Sequence, residues 1–208
     1  NIKGNKYMMT KQFVKILVAL LVLVQPVHAA LISNTDITAS TSLTEALFLG
    51  NTFSVDEIAD GIFDDIASPF GGFVSRTTAG TIRLDLNNGP YDLTKFTLYN
   101  DVNLGTQGIN AFRLDFFNDL DVLIGDFFGN GVSGLSNSGA PQDYAISAFG
   151  VSRVDLVVLS THDANGIEIR EVQFNGSSSS LVPEPSIIAL FGLGLAGLVL
   201  TRRRKAQA

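Results

Sequence analysis

Three acidic groups in this chain are spaced so that they could do chemistry: Asp60, Asp64 and Asp65 in "DEIADGIFDD", Asp119, Asp121 and Asp126 in "FNDLDVLIGD", and Glu171 in "IEIREVQFNG". Glu171 stands where a pattern breaks. Ile167 and Ile169 share one face, yet Val172 and Phe174 form the next apolar pair, so the alternation slips by one residue across Arg170-Glu171. A slip of one turns every later side chain to the other face unless a bulge absorbs it, and bulges re-aim side chains. The Asp- and Gly-rich stretch at 60–65 can offer the carboxylate and carbonyl oxygens that calcium takes at about 2.3–2.6 Å. Equally, Asp60 can cap a turn while Asp64 and Asp65 sit in solvent. Asp163-Ala164-Asn165-Gly166 echoes the start of a calcium loop but lacks the third acidic position, and Asn-Gly reads as a hairpin turn.

Enzyme chemistry has less to work with. Two carboxylates about 5 Å or about 6.5–9.5 Å apart across a sugar would hydrolyse a glycoside. Here a strand-to-strand turn explains Asn118-Asp119, and nothing marks a general acid. His28 falls in a leader, which leaves His162, in "STHDANG", as the single base of the mature domain; it reads as a solvated loop residue. A Ser–His–Asp site is poorer still, since His162 is its only available base and there is no Gly-x-Ser-x-Gly elbow. The absence of Cys removes disulfides, thiolate zinc sites and Cys nucleophiles. The expectation is a non-enzyme.

Charge narrows the partners. Lys3, Lys6, Lys11 and Lys15 precede the domain and Arg202, Arg203, Arg204 and Lys205 follow it, so residues 30–185 hold six bases against all twenty acids, a net −14. Such a surface repels phosphate backbones and excludes nucleic acid, while divalent cations are favoured.

Both ends read as targeting segments. From Met8 or Met9, Lys11 and Lys15 form a positive region and Ile16–Val24 an apolar core; Val27-His28-Ala29 ends in small residues suited to cleavage after Ala29. Residues 1–29 are thus a signal peptide with upstream residues. At the other end Ser186–Leu200 is an apolar run of fifteen residues, about 22 Å as a helix against a hydrocarbon core of about 30 Å. It is a short transmembrane helix whose basic end stays in the cytoplasm. Val182-Pro183-Glu184-Pro185, this span and Arg202–Lys205 together closely resemble the PEP-CTERM sorting signal of Gram-negative bacteria. The resemblance implies an exosortase as processing partner, a transient membrane tether, loss of the tail near Pro183–Pro185, and release to the cell surface or exterior among exopolysaccharide. Ser177–Ser180 reads as a flexible tether within a linker, 177–182, ahead of the sorting signal at 183–208.

Between the ends, period-2 alternation recurs. Ile82, Leu84 and Leu86 oppose Arg83 and Asp85; Phe96 and Leu98 oppose Lys95, Thr97 and Tyr99; Phe112, Leu114 and Phe116 oppose Arg113 and Asp115; Val154, Leu156 and Val158 point inward in "SRVDLVVLS". With "DVLIGDFF", "YAISAFG" and the closing "GIEIREVQFNG", seven or eight strands with one wet face each predict an antiparallel jelly-roll β-sandwich over 30–176, its core filled by the chain's fifteen Phe. Ser54–Gly61 is the one helical candidate, with Ser54 as N-cap and Glu57 as its capping-box partner.

The order "ITAST", "DEIADGIFDD", "TIRLDLNNGPYDLTKFTLYN", "SRVDLVVLSTHDANGIEIREVQFNG" resembles the discoidin or coagulation-factor type C group of the galactose-binding-like fold. The Trp usual after the Asp-Gly loop is replaced by Phe70 or Phe73. The resemblance implies carbohydrate binding and a structural Ca²⁺ on Glu171 and Asp60, with Asp65 or Asp64 nearby. Sugar contacts are expected from loops at one end of the sandwich: Arg76 in "VSRTTAG", Phe70 in "SPFGG", and Phe128 and Asn130 in "FFGNGVSGLSNSG", beside Tyr91, Tyr99 and Tyr144 as flat faces. The alternative is a structural matrix protein or adhesin without a discrete sugar site.

Overall fold

The computed structural model describes residues 29–48, 51–62, 71–100, 108–131, 141–162 and 166–179. Twelve strands follow in chain order: β1 (Ala30–Leu31), β2 (Ile37–Thr41), β3 (Leu47–Phe48), β4 (Asn51–Thr52), β5 (Phe73–Ser75), β6 (Gly80–Leu86), β7 (Tyr91–Asn100), β8 (Ile109–Phe117), β9 (Leu123–Asn130), β10 (Gln142–Val151), β11 (Arg153–Thr161) and β12 (Ile167–Ser178). The seven long strands are those that alternation predicts. One sheet runs β1-β12-β7-β10, with β5 also on β12; the second runs β2-β6-β11-β8-β9; every pairing is antiparallel. The signal segment and the sorting tail lie outside the described residues, and among the described residues no helix is long and apolar enough to cross a membrane.

The core lies between the sheets. Ile82, Leu84, Phe112, Leu114, Val154 and Leu156 face it from one side, and Phe96, Leu98, Val172 and Phe174 from the other, all fully buried. Phenylalanine joins the layers. The Phe96 ring stands 5.2 Å from Phe174 in its own sheet and 5.6 Å, edge to face, from Phe112 across the sandwich. Offset and edge-to-face pairs of this kind add to area burial. Tyr144 completes the cluster at 5.1 Å from Phe112.

Four local expectations are corrected. Ser54–Gly61 does not form a capped α-helix: Val55–Ala59 is 3-10, and Ser54 makes no cap hydrogen bond. The Glu45 carboxylate takes the Val55 N–H at 2.8 Å and the Ser54 hydroxyl instead, while Glu57 accepts the Gly72 N–H at 2.7 Å. The Ser tether begins later than composition suggests. β12 pairs Ser177 and Ser178 with Asp92 and Tyr91, and the Ser179 N–H donates to the Pro90 carbonyl at 2.7 Å. Serine tolerates a strand when a neighbour offers its backbone. Gly166 closes no hairpin either, because β11 and β12 belong to different sheets and the chain crosses between them. Finally, Thr97 and Tyr99 are buried although they face outward. The Thr97 hydroxyl donates to Asp143 at 2.6 Å, and Tyr99 lies opposite Glu171, on a face covered by other segments.

The Phe cluster sets a prediction. Phe96→Ala should destabilise the protein by about 3–5 kcal/mol in urea unfolding, the range for a large buried aromatic. Phe128→Ala, on an exposed face, should cost about 1 kcal/mol or less. Equal losses would contradict this assignment of the core.

Candidate functional site

The break in alternation on the last strand is a bulge. Ile169 pairs with Asn100 and Glu171 with Tyr99, so two residues of β12 pass one of β7. Val172 and Phe174 are thereby returned to the core, and Glu171 is carried to the outer side of the sheet. There it is fully buried. The 3-10 turn Asn34–Asp36 and the end of the 3-10 helix at Asp60 cover it. The Asn34 side-chain amide donates to Glu171 Oε1. Asp60 ends the 3-10 helix, its carboxylate accepting the Ile62 N–H at 2.7 Å, and Gly61 follows at φ +89°, a left-handed conformation that glycine adopts without strain.

Electrostatically this pocket is unfinished. Burial, and next the negative charge of Asp60, push the Glu171 carboxyl up to about 8; Asn34 and the backbone N–H groups of Gly61 and Asp60 pull the other way and lose. Among the described residues Glu171 Oε2 has no hydrogen-bond partner. A buried carboxylate oxygen without a partner is costly. Two carboxylates and an amide, which offers oxygen or nitrogen depending on its flip, are donors a hard cation takes. Asp60 and Glu171 are therefore brought together as expected, and Asp65 and Asp64 lie outside the described residues. Among the described residues no three His, Cys, Asp or Glu side chains gather into a metal-sized group. Asn34 had no local signal in the sequence, since only the fold brings it across 137 positions to Glu171.

The expected sugar contacts are dispersed. Phe128 and Asn130 are not in a loop. They lie on the outer face of β9, which ends its sheet and runs on through Asn130 because Arg113 and Ala111 of β8 pair with them. Phe128 is 62% exposed, and the Arg113 guanidinium lies 5.8 Å from its ring centre. Arg76 is exposed just after β5, on the far side of β12, β7 and β10, several strand spacings of about 4.8 Å away. The structure thus keeps Phe128 with Asn130 and leaves Arg76 apart. Phe70 lies outside the described residues. The tyrosines are poor platforms: Tyr91 and Tyr99 are 7% exposed, and Tyr144, half-buried, packs against Phe96 and Phe112 with its hydroxyl on the Asn130 carbonyl at 2.8 Å. Burial pushes Tyr144 up to about 12. The exposed aromatic that was missed is Phe149, 72% exposed on β10. Its signal was present, since Tyr144, Ile146 and Ala148 set the inward phase of that strand and Phe149 falls outside it.

Asp121 and His162 have structural partners, while Asp119 sits in a turn and Asp126 on an open strand face. Asn118 accepts the Leu120 and Val122 N–H groups at 3.0 Å, shaping the β8–β9 turn that holds Asp119. Asp121, at φ +62°, is bonded by Arg153, whose guanidinium stacks 3.7 Å from the Phe117 ring centre. Asp126 lies opposite Asp115, which Arg113 holds through two hydrogen bonds. The three do not converge on a cleft. His162 is half-buried rather than solvated, with Nε2 3.0 Å from the Gly131 carbonyl and its N–H on the Gly108 carbonyl. Two backbone partners at the end of β11 fix it.

Comparison with known proteins follows the same division. Residues 181–205 match the PEP-CTERM protein-sorting motif. No curated protein sequence matches the chain. Among solved structures, the family 32 carbohydrate-binding module of Clostridium perfringens NanJ in complex with galactose is similar at a TM-score of 0.53 and 9% identity, over 71% of this chain and 99% of that one. A fucose-binding module of Streptococcus pneumoniae gives 0.52 and 14%, over 70% and 96%. A variant of the lectin-binding domain of Lectinolysin, complexed with Lewis b, gives 0.53 and 19%, over 74% and 100%. The chain thus carries a PEP-CTERM sorting motif behind a β-sandwich with the galactose-binding-like fold of the family 32 carbohydrate-binding modules.

Proposed function

We propose that the protein is an exported, non-catalytic carbohydrate-binding module. An exosortase frees it from a transient membrane tether, and it acts in the exopolysaccharide matrix outside the cell. The observation that carries this reading is the likeness of the whole sandwich to sugar-binding modules, coupled to a sorting motif at 181–205. Phe128 and Asn130, side by side on an exposed edge, are the proposed sugar contacts. A structural Ca²⁺ would be held by Glu171 and Asp60, joined by Asp65 and the Asn34 side-chain oxygen. Bound there, the ion would neutralise two carboxylates and tie β12 to the covering turns. Burial of Tyr91 and Tyr99, with Tyr144 half-buried against Phe96 and Phe112, favours a second reading, a matrix protein or adhesin with no discrete sugar site.

A glycan array probed with the secreted protein separates the two. Saturable binding to defined glycans, weakened by Phe128→Ala, is expected; uniform silence supports the matrix protein.

Calcium is tested by melting. A ligand that binds only the folded state at a hundred times its Kd stabilises by about 2.7 kcal/mol. Chelator should therefore lower the Tm, and Glu171→Gln should remove most of that difference. Without calcium, the unfolded carboxyl loses its proton near the ordinary 4.5 while the folded one keeps it up to about 8. Folding then takes up a proton, so stability falls as pH rises through that window and levels off above it. Chelated wild type should show this fall relative to Glu171→Gln, and calcium should abolish it. An identical melt with and without chelator refutes the calcium site.

For the tail, mass spectrometry of the secreted form should find a C-terminus close to Pro183–Pro185. Glu184→Ala should block processing and leave the sandwich intact, because the motif follows the last strand, which ends at Ser178. Secreted protein still ending at Ala208 would overturn the sorting assignment.

A further inference from the structure

β9 ends one sheet and β10 ends the other, and the two edges lie on the same flank of the sandwich. Between them opens a cavity of about 240 Å³, lined by Phe116, Ile124, Gly125, Asp126, Ser147, Ala148 and Phe149. Two register shifts in β10 shape this flank, one before Ala148 and one between Ala148 and Val151. Ala148 and Val151 are both buried, so the second shift inserts a residue, and Gly150 takes it up at φ +68°. Phe149 is left projecting beside the cavity, an edge-bulge effect. Ile124, across from it, is 42% exposed. Asp126 faces a cross-strand Asp115 whose carboxylate is held by Arg113, and among the described residues no donor meets the Asp126 side chain.

These walls select an occupant. A Leu or Phe of another protein would take water from Asp126 and offer no donor in exchange, which is unfavourable. A carboxylated sugar would meet the Asp126 charge on a domain already at net −14. A neutral pyranose brings an apolar C–H face for Phe149 and Ile124, and hydroxyl donors for Asp126 and Ser147. The volume, below the ~300–1,000 Å³ of pockets for drug-sized ligands, suits one ring. We propose that the cavity between β9 and β10 binds one neutral hexose unit of a polysaccharide. This rests on the carbohydrate-binding reading and adds a subsite that adjoins Phe128 and Asn130, since Asp126 and Phe128 share one face of β9.

The chain has no Trp, so Phe149→Trp in the secreted protein places a single fluorophore at the cavity and keeps an aromatic platform. Titration with glucose, galactose and mannose should give a saturable blue shift with at least one of them, and galacturonate should give none. Adding Asp126→Ala should weaken the response about tenfold, as expected for losing hydrogen bonds to a charged group. Emission unmoved by all three neutral sugars overturns the proposal. So does emission that shifts with protein concentration alone, which would make the flank a self-interface. The same variant goes on the glycan array: array binding with a silent fluorophore sinks this cavity alone, and silence in both sinks the carbohydrate reading as well. If Phe149→Trp does not fold, the Ile124 methyl resonance of the unsubstituted protein serves instead. A shift on sugar titration supports the site, and an unmoved resonance overturns it.

Discussion

β12 has to satisfy β1, β5 and β7 at once, and it meets β7 by carrying one extra residue at Arg170-Glu171, with a second shift, on the β7 side, between Asn175 and Gly176. With that residue absorbed, Ile167 and Ile169 on one side of the bulge and Val172 and Phe174 on the other all reach the core. Without it, one pair or the other would turn out of the core, and the Phe96–Phe174 contact that anchors the aromatic cluster would be lost. The same extra residue brings a carboxylate into a covered space beside a second carboxylate. Packing of the core and chemistry of the site are thus two results of one register shift.

The strongly negative domain pairs four of its acids with arginines on the other sheet and its β8–β9 turn. Arg83 pairs with Asp85, Arg113 with Asp115, and Arg153 with Asp121 and Asp155. The pairs whose arginines reach solvent, Arg83–Asp85 and Arg113–Asp115, contribute little to stability individually, whereas Arg153 is buried. Their effect is arrangement: Asp155, Asp115 and Asp126 sit directly opposite one another across β11, β8 and β9, and the interleaved arginines keep that row tolerable. Asp126, at the open end of the row, is left available to solvent.

Alternation is legible wherever one face is wet and the other dry, as in β6, β8 and β11, and the slip at Arg170-Glu171 was legible for the same reason. It carries no information about what covers an outer face, so Thr97 and Tyr99 read as exposed when they are buried. Composition misled where local chemistry allows two outcomes. The Gly/Asn stretch after Phe127 still completes an edge strand through Asn130, and two of the four serines of the tether prolong β12. Tyrosines looked like sugar platforms by type, but Tyr144 follows the inward phase of β10. Asn34 was invisible because nothing near it in sequence marks a partner 137 residues away.

Glu171 is the residue on which core register and proposed metal chemistry meet, so the ion itself is the most direct thing to weigh. Native mass spectrometry of the secreted protein in calcium-containing buffer should find one tightly held calcium per chain, absent from Glu171→Gln. A wild-type chain whose mass shows no bound divalent ion under those conditions would contradict the account.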